Sequence, residues 1–217
     1  MTRRKLVIGN KNYSTWSLRG WLVAKRAGQP FEEELIPLHQ PGSSEQKSQH
    51  SQAGLVPILY DGDQRIWDTL AIAEYLHEQH PEARLWPEDE EKRAVARAVT
   101  CQMHSGFLAL RSNMPMNIRH RAPSVGRGPG VLEDIAQMTA LWREMRSQYG
   151  SGGDFLFGEW CIADAFYTPP AFRFQTYEIP LEGEAAAYAE SLLAMPEVRE
   201  WAEAGIAEPW SIEQYDL

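Results

Sequence analysis

Cysteine is nearly absent from this 217-residue chain: Cys101 and Cys161 are the two present, far apart in sequence. That excludes a disulfide framework and a cysteine-rich zinc site. Positive charge is also scarce, with 21 Lys and Arg against 30 Asp and Glu, a formal net charge of −9 and no basic run. Such a chain repels phosphate backbones and anionic bilayers, so neither nucleic acid nor a membrane is an expected partner. No apolar run approaches the roughly 20 residues of a membrane helix. The opening MTRRKLVIGNKN is basic but is followed by only Leu6-Val7-Ile8-Gly9, too short for a signal-peptide core. Internal repeats and low-complexity tracts are missing as well. The expected setting is cytoplasmic.

What the chain does contain is 43% hydrophobic and 24% charged residues, a globular composition large enough for one large domain or two small ones. The first eighty residues mix periodicities. Lys5–Ile8, Phe31–Leu38, Val56–Tyr60 and Gln64–Trp67 read as strands, the last two joined by an Asp61-Gly62 hairpin signal. Trp16–Ala27 and Asp68–Gln79 read as helices, the first ended by Gly28. From Glu88 onward the pattern is helical throughout. Glu90–Arg111 reads as one long helix. Asn113–Gly130 reads as a loop, and Val131–Tyr149 as an amphipathic helix. Ile162–Gln175 is a helix that Pro169-Pro170 should kink or interrupt, and Glu184–Ala194 and Pro196–Ala207 are two more. The expected organisation is an α/β domain over residues 1–80, a Pro-bounded linker over 81–89, and an all-helical domain over 90–217.

Two segments carry candidate chemistry. Pro57 opens a strand before a hairpin. It is a candidate cis peptide that would turn the Val56 backbone outward, with an ordinary trans proline as the alternative. Asp68-Thr69 opens a helix, where free amides make an anion site and a carboxylate can hold an ammonium group, so the pair suits an α-amino-acid end. Plain N-capping by Asp68 is the alternative.

Together these segments resemble the glutathione S-transferase family. The resemblance rests on Gly54-Leu55-Val56-Pro57-Ile58-Leu59, on Asp68-Thr69-Leu70-Ala71-Ile72-Ala73-Glu74-Tyr75-Leu76, on Leu85-Trp86-Pro87-Glu88-Asp89 with Lys92-Arg93-Ala94, and on Phe157-Gly158-Glu159-Trp160-Cys161-Ile162-Ala163-Asp164-Ala165. The four lie in register over nearly the whole chain. Arg111–Arg119 with Arg173–Tyr177 resembles a bacterial subgroup. The resemblance implies a thioredoxin-like domain followed by a helical bundle, a homodimer, and glutathione as co-substrate. Cys161 departs from the family's Ser or Thr; Asp164 can still supply the reciprocal half of a capping box there.

The resemblance also implies site residues. In Asn12-Tyr13-Ser14-Thr15-Trp16-Ser17-Leu18-Arg19, Ser14 is the group expected to contact the glutathione sulfur, with Tyr13 and Ser17 as alternatives. Ser14 and Arg19 match the spacing of Ser-type members. Val56, Pro57, Asp68 and Thr69 are expected to bind glutathione. His39, Gln40, Lys47 and His50 fall where the glycyl carboxylate is held, although each reads as a solvated loop residue before it reads as a ligand. Helical spacing places Cys101, His104, Leu108 and Arg111 on one face. His104, Leu108 and Arg111 are therefore assigned to the second substrate, with helix packing as the alternative. No metal site is expected. The implied activity is transfer or use of the glutathione thiolate on a small hydrophobic electrophile. The alternatives are a glutathione-dependent isomerase of zeta type and a non-catalytic glutathione-binding or interaction module.

Overall fold

The apolar run near the N-terminus becomes β1 (Arg4–Gly9), whose Leu6, Val7 and Ile8 are fully buried. The structure, a computed structural model, describes residues 4–216. After β1 come α1 (Thr15–Arg26), β2 (Phe31–Ile36), α2 (Ser43–His50), β3 (Ile58–Asp61), β4 (Gln64–Ile66) and α3 (Thr69–Gln79). The sheet order is β2-β1-β3-β4. β1 and β2 are parallel across the α1 crossover, with Val7 opposite Glu34, while β3 and β4 run antiparallel. One sheet face packs Leu6, Ile8 and Leu59 against Leu18 and Leu22 of α1 and Ile72 and Leu76 of α3. The other face carries the smaller cluster of Val7, Ile36 and Ile58. This is the thioredoxin-like arrangement.

Strand ends move by one or two residues from the sequence reading. β3 starts at Ile58, so Val56 and Pro57 precede it, joined by a cis peptide bond. The hairpin turn is Gly62-Asp63 rather than Asp61-Gly62, with Asp61 paired to Gln64. Asp61 stays on the strand because its Oδ2 accepts from Arg4 Nε at 2.7 Å and from the Tyr75 hydroxyl at 3.1 Å.

A 3-10 turn over Pro81–Ala83 leads into the helices α4 (Glu90–Ser105), α5 (Leu108–Asn113), α6 (Val131–Tyr149), α7 (Ile162–Thr176), α8 (Gly183–Ala194) and α9 (Pro196–Ala207). The long helix read over Glu90–Arg111 is in fact two. Gly106 takes an extended conformation and Phe107 a left-handed one, with φ of 53°. A Cβ at Gly106 would sit 2.6 Å from Gln102 O, so this close approach needs glycine. Residues on either side of the break therefore share no helical face.

Pro169-Pro170 does not interrupt the helix. α7 runs unbroken and is buried along its length except at Gln175. Pro170 has no N–H for Phe166 O four residues back, and Arg19 Nε donates to that carbonyl instead, at 3.3 Å. At the start of α7 the fully buried Asp164 accepts from Cys161 N (2.8 Å), Leu156 N (3.2 Å) and the Tyr188 hydroxyl (2.8 Å). This is the reciprocal capping anticipated for Asp164. Burial pushes its pKa up to about 6. Burial likewise pushes the Cys161 thiol well up, which keeps it un-ionised and structural.

Candidate active site

The loop between β1 and α1 carries Ser14, and its backbone is held by residues remote in sequence. Glu208 accepts from the amides of Lys11 (2.6 Å) and Asn12 (3.2 Å), and Trp201 Nε1 donates to Lys11 O. The Asn12 side chain bonds Asn117 Oδ1 and the Arg119 amide. α9 approaches so closely that a Cβ on Gly205 would lie 2.9 Å from Asn12 N. The Tyr13 hydroxyl donates to Asp216 at 2.7 Å and accepts from Arg119 Nη2 at 2.7 Å.

Ser14 is the N-cap of α1: its Oγ accepts from Ser17 N at 3.3 Å and lies 2.8 Å from Ser17 Oγ. Ser17 Oγ in turn accepts from Gly9 N at 2.9 Å, and Ser17 is fully buried. Of the three residues considered for the sulfur, Tyr13 and Ser14 line a cavity and Ser17 does not, and the Tyr13 hydroxyl is taken by Asp216 and Arg119.

Trp16 stands between two neighbouring cavities and lines both. The smaller, 230 Å³, is walled by Leu55, Val56, Pro57, Trp67, Asp68, Thr69 and His104. The larger, 380 Å³, has Ser14 and Trp16 on one side, Leu38 and His39 on another, and Leu108, Arg111, Pro115, Met116, Arg173 and Tyr215 closing it. The sequence-assigned residues thus divide. Val56, Pro57, Asp68 and Thr69 come together; Ser14, Leu108 and Arg111 come together next door. His104 separates from Leu108 and Arg111 because of the Gly106-Phe107 break. Its Nε2 instead lies 3.2 Å from Asp68 Oδ2, and its ring packs on Trp16.

In the smaller cavity, Asp68 Oδ1 accepts from Leu70 N and Ala71 N, so the capping reading is realised. Its Oδ2 pairs with His104 Nε2, and both residues line the cavity. The first-turn amide of Thr69 has no helical carbonyl to receive it. The main-chain N–H and C=O of Val56 have no partner among the described residues. A free peptide edge, a carboxylate and an uncapped amide together fit one end of an extended peptide with an amino-acid terminus. His50 is not part of this set, being held by Glu34 and Tyr60, and neither His50 nor Lys47 lines either cavity.

The feature that sequence reasoning missed is a cationic cluster under the larger cavity. Arg19 is fully buried; its Nη1 and Nη2 have no hydrogen-bond partner, and its guanidinium lies 4.4 Å from the Trp16 ring centroid. Arg173 is nearly as buried, with Nε donating to Met114 O and Nη1 unpartnered. Arg111 stacks on Trp16 at 5.0 Å and donates to the carbonyls of His104 and Gly106. Among the described residues no carboxylate pairs with any of the three. Burial first, then mutual repulsion, depresses the Arg19 pKa and brings that of Arg173 down to about 10; burial alone lowers that of Arg111. Unpaired buried cations are costly and gather at sites that receive an anion. The three lie at positions 19, 111 and 173; the sequence marks Arg19 by its spacing from Ser14 and Arg111 for the second substrate, but nothing in it joins them to each other or to Arg173 in one cluster. Among the described residues there is no cluster of metal-ligating side chains.

Residues 13–79 match the family model described as glutathione S-transferase, N-terminal domain. A probable maleylacetoacetate isomerase of Caenorhabditis elegans is 25% identical over 186 residues, covering 83% of this chain and 86% of the relative. Glutathione S-transferase Z2 of Arabidopsis thaliana is 47% identical over 135 residues, 59% of this chain and 58% of the relative. Among solved structures, a glutathione transferase homologue from Burkholderia with bound glutathione superposes with a TM-score of 0.72 at 22% identity, covering 94% of this chain and 98% of that one. A bacterial maleyl pyruvate isomerase described as zeta class gives 0.71 at 20%, covering 96% and 100%. These structural likenesses concern the fold.

Proposed function

We propose that this chain, whose residues 13–79 match the glutathione S-transferase N-terminal domain, is an enzyme of that family acting through glutathione on an electrophile that carries a carboxylate. The tripeptide lies along the Val56 edge with its γ-glutamyl end at Asp68 and Thr69, and its sulfur passes Trp16 toward Ser14. Residues 1–80 hold glutathione, and residues 90–217 complete the second cavity. The observation that carries the reading is that Ser14 lines one cavity together with Arg111 and Arg173, the latter nearly buried with an unpartnered Nη1. Leu38, Leu108 and Met116 accept the hydrophobic body of the electrophile, while Arg111 and Arg173 attract its anionic end.

The experiment is turnover with a matched pair, an unsaturated carboxylic acid and its methyl ester, beside calorimetric titration with glutathione. The acid is expected to be preferred by about tenfold or more in kcat/KM, the equivalent of ~1.4 kcal/mol. Equal rates, or no glutathione binding, sink the reading. The relatives named as isomerases support a second form of it, in which the thiolate adds reversibly and leaves after the carbon–carbon bond has rotated. Recovery of a geometric isomer with no net loss of glutathione distinguishes this from conjugation.

Asp68→Ala is expected to weaken glutathione binding by about 1.5–3 kcal/mol through loss of a charge-assisted contact. Loss of the α3 cap should separately cost ~1 kcal/mol of stability. A titration showing unchanged affinity would leave Asp68 as a cap alone. The assembly is proposed to be a cytoplasmic homodimer burying at least about 1,200 Å² in total. Light scattering is expected to give twice the chain mass, independent of dilution across the working range.

A further inference from the structure

We infer that Ser17, which touches neither cavity, is a positioning residue that turns the Ser14 proton toward the glutathione sulfur; the inference rests on the reading of Ser14 given above. The two hydroxyl oxygens are 2.8 Å apart, so one proton lies between them. In the arrangement where Ser14 donates to Ser17, Ser17 Oγ already receives Gly9 N–H as well. Its own proton then has no acceptor among the described residues, in a fully buried position. Reversing the pair resolves this. Ser17 donates to Ser14 Oγ, which also accepts Ser17 N–H and so has both lone pairs filled. The remaining proton of Ser14 can then point only into the cavity.

An arriving thiolate supplies the acceptor that the reversed arrangement needs. The chain then reads Gly9 N–H to Ser17 Oγ–H to Ser14 Oγ–H to sulfur, each donor polarised by the one behind it. Only two hydroxyl rotors turn, and no heavy atom moves. No proton is lost or gained by the pair. Arg111, Arg173 and His39 line the same cavity and act on the sulfur alike whichever way the pair points.

The test is the pKa of bound glutathione, read by thiolate absorbance against pH, in wild type, Ser14→Ala, Ser17→Ala and the double variant. Ser17→Ala is expected to raise it by about half to one unit, lowering turnover at neutral pH about three- to tenfold. The same change in the Ser14→Ala background should have no further effect. A purely structural role would lower thermal stability in both backgrounds and leave the thiol pKa in place. Ser17→Cys, which keeps an acceptor for Gly9 N–H but is a weak donor, should fall between serine and alanine, and serves where the alanine variant does not fold. A wild-type thiol pKa in Ser17→Ala or in Ser17→Cys, or an undiminished effect without Ser14, overturns the relay. A Ser14→Ala variant with wild-type behaviour overturns the site assignment itself, so the two failures are told apart.

Discussion

Replacing Ser14 by alanine is expected to raise the pKa of the bound glutathione thiol by about one to two units and to cut turnover at neutral pH by about 10- to 100-fold, at ~1.4 kcal/mol per unit. A free thiol, with a pKa near ~8.5, is only a few per cent ionised at neutral pH. A hydroxyl donating to a charged sulfur stabilises it by ~1.5–3 kcal/mol, and a helix start adds ~0.3–1 kcal/mol. Ser14 sits at the start of α1 and can supply the first while placing the sulfur for the second. Glutathione affinity should change little, because Val56, Asp68 and Thr69 lie in the other cavity. Loss of the cap should lower stability by ~1 kcal/mol. The pH–rate profile should therefore shift to higher pH and recover part of the rate there. Tyr13→Phe is the control, since that hydroxyl is bonded to Asp216 and Arg119. A displaced profile in the Phe variant, with none in Ser14→Ala, would transfer the role to Tyr13.

Asp164→Ala is expected to cost about 3–5 kcal/mol of folding stability, measured by urea denaturation at neutral pH. The carboxyl satisfies the amides of Cys161 and Leu156 and the Tyr188 hydroxyl, all in a buried setting. Each orphaned donor costs ~1–3 kcal/mol, partly offset because the desolvated carboxyl goes too. A loss under about 1 kcal/mol would mean the segment re-caps itself. The pH dependence has a definite sign. Burial raises the folded pKa to about 6 from an ordinary 3.8, so the folded state favours the protonated acid. That contribution is fully present below the ordinary value and is lost as pH rises through about 6. The shift corresponds to about 3 kcal/mol. Asp164→Asn removes the titration. The stability of wild type relative to the Asn variant should therefore fall by about that amount between about pH 4 and pH 7; a flat difference would show that the carboxyl is already ionised in acid.

Much of this architecture was legible in sequence because its signals are local. Asp68 stands before an apolar helical stretch and caps it; Val131–Tyr149 has unbroken helical spacing and is one helix. Asp164 three residues after Cys161 reads as a capping partner and is one. The break at Gly106-Phe107 was not legible, because a lone glycine is tolerated in a helix and the apolar spacing continues on both sides. That one error moved His104 from the Arg111 cavity to the Asp68 cavity. The sequence reads an interruption at Pro169-Pro170 for the opposite reason: the cost of the prolines is real locally, but the freed Phe166 carbonyl is taken by Arg19 from another element. The arginine cluster had no chance of showing itself in a window of sequence. Its members meet only once α1, α5 and α7 have packed together.

The grip of Glu208, Trp201 and Asn117 on the β1–α1 loop also bears on synthesis. The side chain that pairs the loop's Lys11 and Asn12 amides belongs to Glu208, 197 and 196 residues further along the chain. The sheet around β1 can assemble from the first eighty residues, as N-terminal units do during elongation. The backbone under Ser14 stays wet until α9 docks. Setting the backbone of the β1–α1 loop therefore waits on a residue made 197 positions after Lys11, and a chain cut before Glu208 would hold a folded sheet with that loop unset.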